Sequence, residues 1–398
     1  MSRIFISMHY MELGGAERAL LGLLEALSET EHQVDLFIYS HQGELMSFIP
    51  EGINLLPENP IYACYEKPIV EIFKQGHLAM GLARLWAKIA EKIFNKHTDP
   101  KLLPSSIADE MGRFTNAVVP NLNYLGEYDL AISFLNPHYY LVNKVLARKK
   151  IGWFHTDYSA ICINSTRELP IWSKLDHVVA ISHLSRNAFL QKFPSLADRT
   201  LVIENILPTR LIKHQANEFD ASAEMPGAIK LLTVGRFAHA KNLPWAVEVM
   251  AELCTLRSDV VWYIIGYGDN TAIVANIKKH HLKERFVLLG KRDNPYPYIK
   301  ACDVYVQPSI YEGKAVTVQE AQFLGKPVAI SNFPSAHSNV RNGVDGVIFP
   351  LGDAHAAALA LHNFLSDADK MQKIAKNGAR NDFSATASLQ AILALSNS

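Results

Sequence analysis

Long hydrophobic runs are missing from this chain. No window of its 398 residues approaches the ~20 consecutive apolar residues that a membrane-spanning helix needs. An excess of either charge is missing too. Lys plus Arg number 39 and Asp plus Glu number 39, which argues against a dedicated nucleic-acid binder. Cysteine is scarce: Cys64, Cys162, Cys254 and Cys302 stand far apart and form no C-x-x-C pair. That argues against a disulfide framework or a structural zinc site and fits a reducing compartment. The opening stretch MSRIFISMHYMELGGAER has no charged region followed by an apolar core, so a cytoplasmic protein without a secretory signal is expected. What remains is an ordinary globular composition, 49% hydrophobic and 20% charged, at a length that suits two domains.

The first forty residues carry a clear local pattern. RIFISM (3–8) reads as a buried strand, a loop with Gly14 and Gly15 follows, and Leu20, Leu23, Leu24 and Leu27 fall on one helical face. VDLFIYS (34–40) is the next strand, which completes the opening βαβ unit of a doubly wound α/β domain. YDLAISF (128–134), KIGWF (150–154), HVVAIS (177–182) and TLVI (200–203) extend a parallel sheet. Residues 208–227 are polar without an apolar period and read as a linker. The pattern then restarts with KLLTVG (230–235), VVWYIIG (260–266), RFVLLG (285–290), DVYVQP (303–308) and PVAIS (327–331), separated by helices such as 244–255 and 316–324. The expectation is two domains, residues 1–208 and 209–383, with a final helix at about 384–398 crossing back to the first.

Residues 74–101 differ from the rest. Leu78, Leu82, Leu85, Trp86, Ile89 and Ile93 share a helical face, and Lys74, Arg84, Lys88, Lys92, Lys96 and Lys101 oppose only Glu91 and Asp99. Two readings fit this pattern. The helix packs its apolar face on the domain and solvates its basic face, or it lies on an anionic membrane.

The sharpest chemical feature is SIYEGKAVTVQEAQFLGKPVAIS (309–331), with Glu312 and Glu320 separated by seven residues around a loop-to-helix junction near Ala315. A helix N-terminus offers free N–H groups and a positive dipole end that suit a phosphate, and the two carboxylates suit hydroxyls of an extended ligand. In LLTVGRFAHAKN (231–242), Arg236 and Lys241 stand at a strand-to-helix turn, where two cations suit a diphosphate. By spacing alone the glutamate pair reads first as solvated charges on a helix, and the two cations read as surface charge as readily as a diphosphate site. Gly14 and Gly15 permit either a tight turn or close approach to a phosphate. They do not form G-x-G-x-x-G, so a dinucleotide oxidoreductase is poorly supported. The one literal D-x-D, Asp367-Ala368-Asp369, reads as a helix start rather than a metal site.

In their order, V-G-R-x(4)-K-N, I-I-G-x-G, L-L-G and S-x-x-E-G-x(6)-E-A-x(3)-G-x-P-V resemble glycosyltransferase family 4. This is a family of retaining, nucleotide-sugar-dependent enzymes with the GT-B fold, two Rossmann-like domains facing a central cleft. The resemblance is strongest over 229–350. It implies an N-terminal acceptor domain and a C-terminal donor domain that close over the donor. It implies that Arg236 and Lys241 bind the donor diphosphate, Glu320 holds the ribose, and Glu312 contacts the donor sugar. Gly313, Lys314, Ala315 and Val316 would meet the sugar and β-phosphate through their backbone, with Lys291 and Arg292 near the nucleobase. Gly15 would approach the phosphate, and His155 matches a family histidine beside the transferred sugar and the acceptor. Catalysis is thus expected from Glu312, His155, Arg236 and Lys241, with a UDP-sugar donor, no metal and no other cofactor. The implied acceptor is a glycan or lipid-linked sugar of a surface polysaccharide, with peripheral membrane contact through 74–101.

Two departures stand out. Lys314 occupies a position that is often aromatic or apolar in that family, and the junction ENILP (204–208) matches its usual pattern only at Asn205. Three rivals remain at this stage: a nucleotide-sugar epimerase or a phosphorylase on the same fold, and a non-catalytic carbohydrate-binding scaffold.

Overall fold

The computed structural model describes the chain except for residues 13, 97–102, 105, 157, 160, 313, 314, 384, 385, 397 and 398. It divides into two compact units, Met1–Pro208 with Ser384–Ser398, and Thr209–Phe383.

The first unit is built on a seven-stranded sheet of β1 (Arg3–Met8), β2 (Gln33–Ile38), β3 (Asn54–Leu55), β4 (Tyr128–Ser133), β5 (Ala147–Phe154), β6 (His177–Ala180) and β7 (Thr200–Val202). The spatial order is β3-β2-β1-β4-β5-β6-β7, with every pair parallel. Helix α1 (Gly15–Ser28) buries Leu20, Leu23, Leu24 and Leu27, the stripe its heptad-like spacing predicts. Helices α2 (Leu78–Asn95) and α3 (Ser106–Thr115) pack on each other, and α4 (Ser165–Trp172) follows. The edge strand β3 was not predicted, because two residues are too short to show a period.

The second unit carries a six-stranded sheet of β8 (Ile229–Val234), β9 (Val260–Ile265), β10 (Phe286–Gly290), β11 (Val304–Gln307), β12 (Val328–Ser331) and β13 (Val347–Phe349). Its order is β10-β9-β8-β11-β12-β13, again all parallel. Helices α5 (Leu243–Leu256), α6 (Val316–Phe323), α7 (Ala354–Leu365) and α8 (Ala368–Gly378) cover it, with Val247, Met250, Leu253, Leu361 and Phe364 in the core. Helix α9 (Thr386–Ala394) belongs to the first unit, where it contacts α1.

The polar stretch 208–227 is not a bare linker. It forms a helix over Thr209–Gln215 that buries Leu211, Ile212 and Gln215, followed by a 3-10 turn at Ser222–Glu224. Seven residues are too few for an apolar period to show in sequence.

In both sheets the chain order reverses once, between β1 and β4 and between β8 and β11. In open parallel sheets, loops leaving the strand C-termini at such a switch point diverge and open a crevice.

Candidate functional site

In the second unit the switch point brings together the two elements the sequence singled out. The loop after β8 carries Arg236 and Lys241, and the loop after β11 carries Glu312. Ile310 donates its N–H to the Ala240 carbonyl at 2.8 Å, which ties the loops to each other. Gly235 donates to Ile265 at 2.9 Å, and a Cβ added at Gly266 would stand 2.0 Å from the Gly235 carbonyl oxygen. Only glycine lets these two strand ends run so close.

Glu312 is the centre of the cluster. Lys241 Nζ lies 2.7 Å from its Oε1, Gln307 Nε2 donates to the same oxygen at 2.9 Å, and Ser309 Oγ donates at 2.6 Å. Among the described residues nothing donates to Oε2, which leaves it available to a ligand hydroxyl. Gln307 and Ser309 are fully buried and fixed in turn. Tyr305 donates to Gln307 Oε1 at 2.9 Å, and Ser331 donates to the Ser309 carbonyl at 2.6 Å. Ser335 donates to the Glu312 carbonyl at 2.6 Å. The carboxylate is therefore held by Lys241 from the loop after β8 and by Gln307 and Ser309 at the end of β11, while Ser335, after β12, holds the Glu312 backbone. Arg236 is exposed, and among the described residues its guanidinium has no ion-pair or hydrogen-bond partner. One cation, Lys241, is thus paired with a carboxylate whose second oxygen is open among the described residues, and Arg236 stands unpaired among them on the same loop as Lys241.

Helix α6 begins at Val316, with Ala315 as its cap residue. The Ala315 N–H is already taken, since it donates to Asn339 Oδ1 at 2.7 Å. The N–H groups of Val316 and Thr317, in the first turn, have no intrahelical acceptor. Gly313 and Lys314 lie outside the described residues. Glu320 is fully buried on α6 and accepts from Tyr296 at 2.8 Å. Lys291 is exposed beside Asp293 at 3.3 Å. Arg292 is engaged elsewhere: Nη2 pairs with Glu224 at 2.8 Å, and Nε donates to Tyr298 at 2.8 Å. This anchor is not legible in the sequence, because Glu224 sits in the stretch that reads as a linker. Asp367 caps α8 by accepting from the Lys370 N–H at 2.9 Å, so the D-x-D is a helix start. Among the described residues no group of three or more His, Cys, Asp or Glu side chains is placed to hold a metal ion.

The remaining expected residues, Gly15 and His155, lie in the first unit. A Cβ at Gly15 would meet nothing within 4 Å. The crowded position is Gly14, where it would meet the Glu17 carboxylate at 1.9 Å. The α1 N-terminus thus already holds a carboxyl group, and burial raises the Glu17 pKa. An incoming phosphate would have to displace that side chain. His155 follows β5. Its ring lies parallel to Trp153 at 6.1 Å and 4.6 Å from the Phe134 ring. Burial lowers its pKa to about 3, while a bond to the Phe134 backbone works the other way. At neutral pH it is an uncharged ring, suited to accepting a hydrogen bond rather than carrying a proton. Among the described residues its buried Nε2 has no hydrogen-bond partner.

Residues 215–381 match the family model described as glycosyl transferases group 1. A relative from Escherichia coli, UDP-Gal:alpha-D-GlcNAc-diphosphoundecaprenol alpha-1,3-galactosyltransferase, is 32% identical over 155 residues, 37% of this chain and 39% of its own. One from Campylobacter jejuni is an N-acetylgalactosaminyltransferase acting on a diphospho-undecaprenol-linked sugar. It is 24% identical over 212 residues, 53% of this chain and 56% of its own. The chain therefore spans about two-fifths to a little over half of these relatives. Among solved structures, Anabaena HepE in complex with UDP and glucose superposes with a TM-score of 0.67 at 17% identity, over 99% of both chains. Staphylococcus aureus TarM gives 0.68 at 12% identity over 100% of both. At these identities the likeness is one of fold, the GT-B arrangement of two Rossmann-like domains. The likeness to the glycosyl transferases of group 1 runs through residues 215–381, which fill most of the second unit.

Proposed function

We propose that this protein is a retaining hexosyltransferase that moves a sugar from a nucleotide diphosphate, UDP in the first instance, to a glycan or lipid-linked acceptor in surface polysaccharide assembly. The observation that carries the reading is the Arg236, Lys241 and Glu312 cluster at the switch point of the second unit. Breaking the bond between the anomeric carbon and the phosphate oxygen builds negative charge on the diphosphate. Preorganised cations meet that charge where it develops. Arg236 and Lys241 fill this role, helped by the Val316 and Thr317 N–H groups. They take the place of a metal ion, so activity should persist in chelator. Glu312 Oε2 accepts from a hydroxyl of the donor sugar, and Glu320 serves the ribose. The acceptor oxygen attacks on the face from which the diphosphate leaves, which retains the anomeric configuration. The names of the relatives support the substrate class, since two act on undecaprenol-linked diphosphates. The first unit is assigned to the acceptor and the second to the donor.

The test of the donor assignment is calorimetry of UDP, GDP, ADP and CMP without added metal. Selective binding of one diphosphate by the wild type, lost in Glu320→Ala and weakened about tenfold or more in Arg236→Ala, is expected. Equal, weak binding of all four by every variant would overturn it and favour a carbohydrate-binding scaffold.

The membrane contact rests on α2. No helix among the described residues is long and apolar enough to cross a membrane. Yet α2 turns its large apolar residues outward: Leu78 is 63% exposed, Leu82 52%, Trp86 57% and Ile93 58%. Its buried face is Met80, Gly81, Ala83 and Ala87. A solvated apolar face of this kind marks an interaction surface. Lys74, Lys88, Lys92 and Lys96 are exposed around it. Arg84, counted with them from the sequence, instead turns inward and donates to the Tyr65 carbonyl at 2.6 Å. Each lysine near an anionic surface contributes about 1 kcal/mol, so anionic vesicles should bind about 10²- to 10³-fold better than neutral ones. The double variant Leu82→Glu, Trp86→Glu should lower anionic binding about a hundredfold. Unchanged co-sedimentation would refute the contact.

A further inference from the structure

Strand β11 ends in a buried amide. Gln307 and its neighbours Tyr305 and Ser309 are fully buried. The strand is covered on both faces, where an apolar side chain would sit without penalty and an amide is tolerated only if its hydrogen bonds are met. Here they are met on both ends. Gln307 Oε1 accepts from the Tyr305 hydroxyl at 2.9 Å and from Thr317 Oγ1 at 3.4 Å. Its Nε2 donates to Ser309 Oγ at 2.8 Å and to Glu312 Oε1 at 2.9 Å.

These partners come from every part of the cluster at the switch point. Glu312 stands in the loop after β11, and Thr317 in the first turn of α6. Tyr305 accepts in turn from the Val234 N–H at 3.4 Å, at the end of β8 and two residues before Arg236. The polarity of the chain is fixed. An ionised carboxylate only accepts, so the amide nitrogen must face Glu312 and the amide oxygen must face Tyr305. Tyr305 has one hydroxyl hydrogen, and Gln307 Oε1 at 2.9 Å takes it rather than the Val234 carbonyl at 3.4 Å. Ser309 gives its own hydrogen to Glu312 Oε1 at 2.6 Å. The chain therefore delivers its donors to one oxygen of Glu312 and leaves the other to a ligand.

We propose that Gln307 is a positioning residue for the transfer step: its amide fixes the Glu312 carboxylate against the first turn of α6 and the end of β8, so that Oε2 meets the donor sugar. The proposal rests on the transferase reading. Gln307 is fully buried and acts through Glu312, so its loss falls on kcat and not on nucleotide affinity. A misplacement of about 1 Å at a reacting centre lowers the rate about a hundredfold.

Two variants of nearly unchanged shape test this. Gln307→Met removes the hydrogen bonds without adding charge. Gln307→Glu keeps an oxygen to accept from Tyr305, but it donates to Glu312 only while it carries a proton. Two carboxyl groups this close share one proton, which raises the pKa of the pair. Transfer from UDP-glucose, UDP-galactose and UDP-N-acetylglucosamine to an undecaprenyl-diphosphate-linked sugar is followed from about pH 5.5 to about pH 8.5. The stoichiometry of UDP binding, by calorimetry at each pH, counts the folded donor sites. Per folded site, Gln307→Met should lose about tenfold to a hundredfold in kcat at every pH, with the donor KM within about threefold of wild type. Gln307→Glu should lose little at about pH 5.5 and about tenfold or more at about pH 8.5. It carries the test through its pH profile should Gln307→Met fail to fold. A merely structural amide would change the number of folded sites and leave the rate per site, and its pH profile, as in the wild type. Wild-type rates per site, or a Gln307→Glu defect that does not change with pH, would overturn the proposal and spare the transferase reading. A wild type that turns over no donor defeats the transferase reading, and the role of Gln307 falls with it.

Discussion

Replacing Lys241 with alanine should lower the transfer rate about 10²- to 10³-fold with only a small fall in the melting temperature. The geometry sets this size. Lys241 Nζ is 2.7 Å from Glu312 Oε1, and the two side chains are only 20% and 13% exposed. The pair is largely enclosed, so its loss costs folding more than a surface pair would, about 1–2 kcal/mol, small beside the expected loss of rate. Glu312 also keeps Gln307 and Ser309 as donors once the lysine is gone. The loss falls on the transition state, where charge gathers on the departing diphosphate and a preorganised cation contributes ~3–4 kcal/mol. Lys241→Arg restores the charge but not the point geometry, so partial rescue is expected. Steady-state kinetics beside a thermal melt separates the two effects. A variant that loses stability in proportion to its activity would make Lys241 a structural residue.

The second large effect is on stability. Glu168→Gln should stabilise the protein by about 5 kcal/mol at about pH 8.5, and by only about 1 kcal/mol at about pH 5.5. Burial, then the Asp109 carboxylate, raise the Glu168 pKa from 4.5 to about 8. Below pH 4.5 the folded and unfolded chains both hold the proton. Between that point and about pH 8 the unfolded chain releases it while the folded chain retains it. The folded state therefore loses ground as pH rises, and the deficit is complete above the folded value. Glutamine never ionises, and its amide oxygen still accepts from Tyr158 and Trp172. Denaturant melts of both proteins at the two pH values give the comparison. An equal gain at both would mean that Glu168 does not hold a proton in the folded protein.

Much of this molecule is legible in its sequence, for physical reasons. Strands buried on both faces read as apolar runs, so VVWYIIG and DVYVQP announce themselves. Arg236, Lys241 and Glu312 are polar residues at the ends of such runs, which is where loops must lie. Periodicity defines a helical face but not its direction. The stripe Leu78, Leu82, Leu85, Trp86, Ile89 and Ile93 reads first as core-facing, since most amphipathic helices are, and the structure instead turns it to solvent because the small residues Gly81, Ala83 and Ala87 take the inner side.

Other parts are illegible because they depend on contacts distant in sequence. Gln307 and Ser309 look like the tail of a strand until Glu312 folds back over them. Asn339, 24 residues after Ala315, takes a backbone N–H that the sequence leaves free for phosphate. Glu168 looks like a solvated helix residue, and only the packing of Tyr158 and Trp172 around it shows that it is buried. Glu17 stands in the GGAER motif, yet nothing in that motif says its side chain turns back over Gly14.

The central claim, a glycosyl transfer built on Arg236, Lys241 and Glu312, meets its most direct test in a turnover assay. The protein would be incubated with UDP-hexoses and an undecaprenyl-diphosphate-linked sugar in the presence of chelator, and the product read by mass spectrometry and NMR. The account predicts one added hexose in the same anomeric configuration as the donor, formed without metal and lost in Lys241→Ala. Turnover equally fast in Lys241→Ala, or an inverted anomeric product, would contradict it.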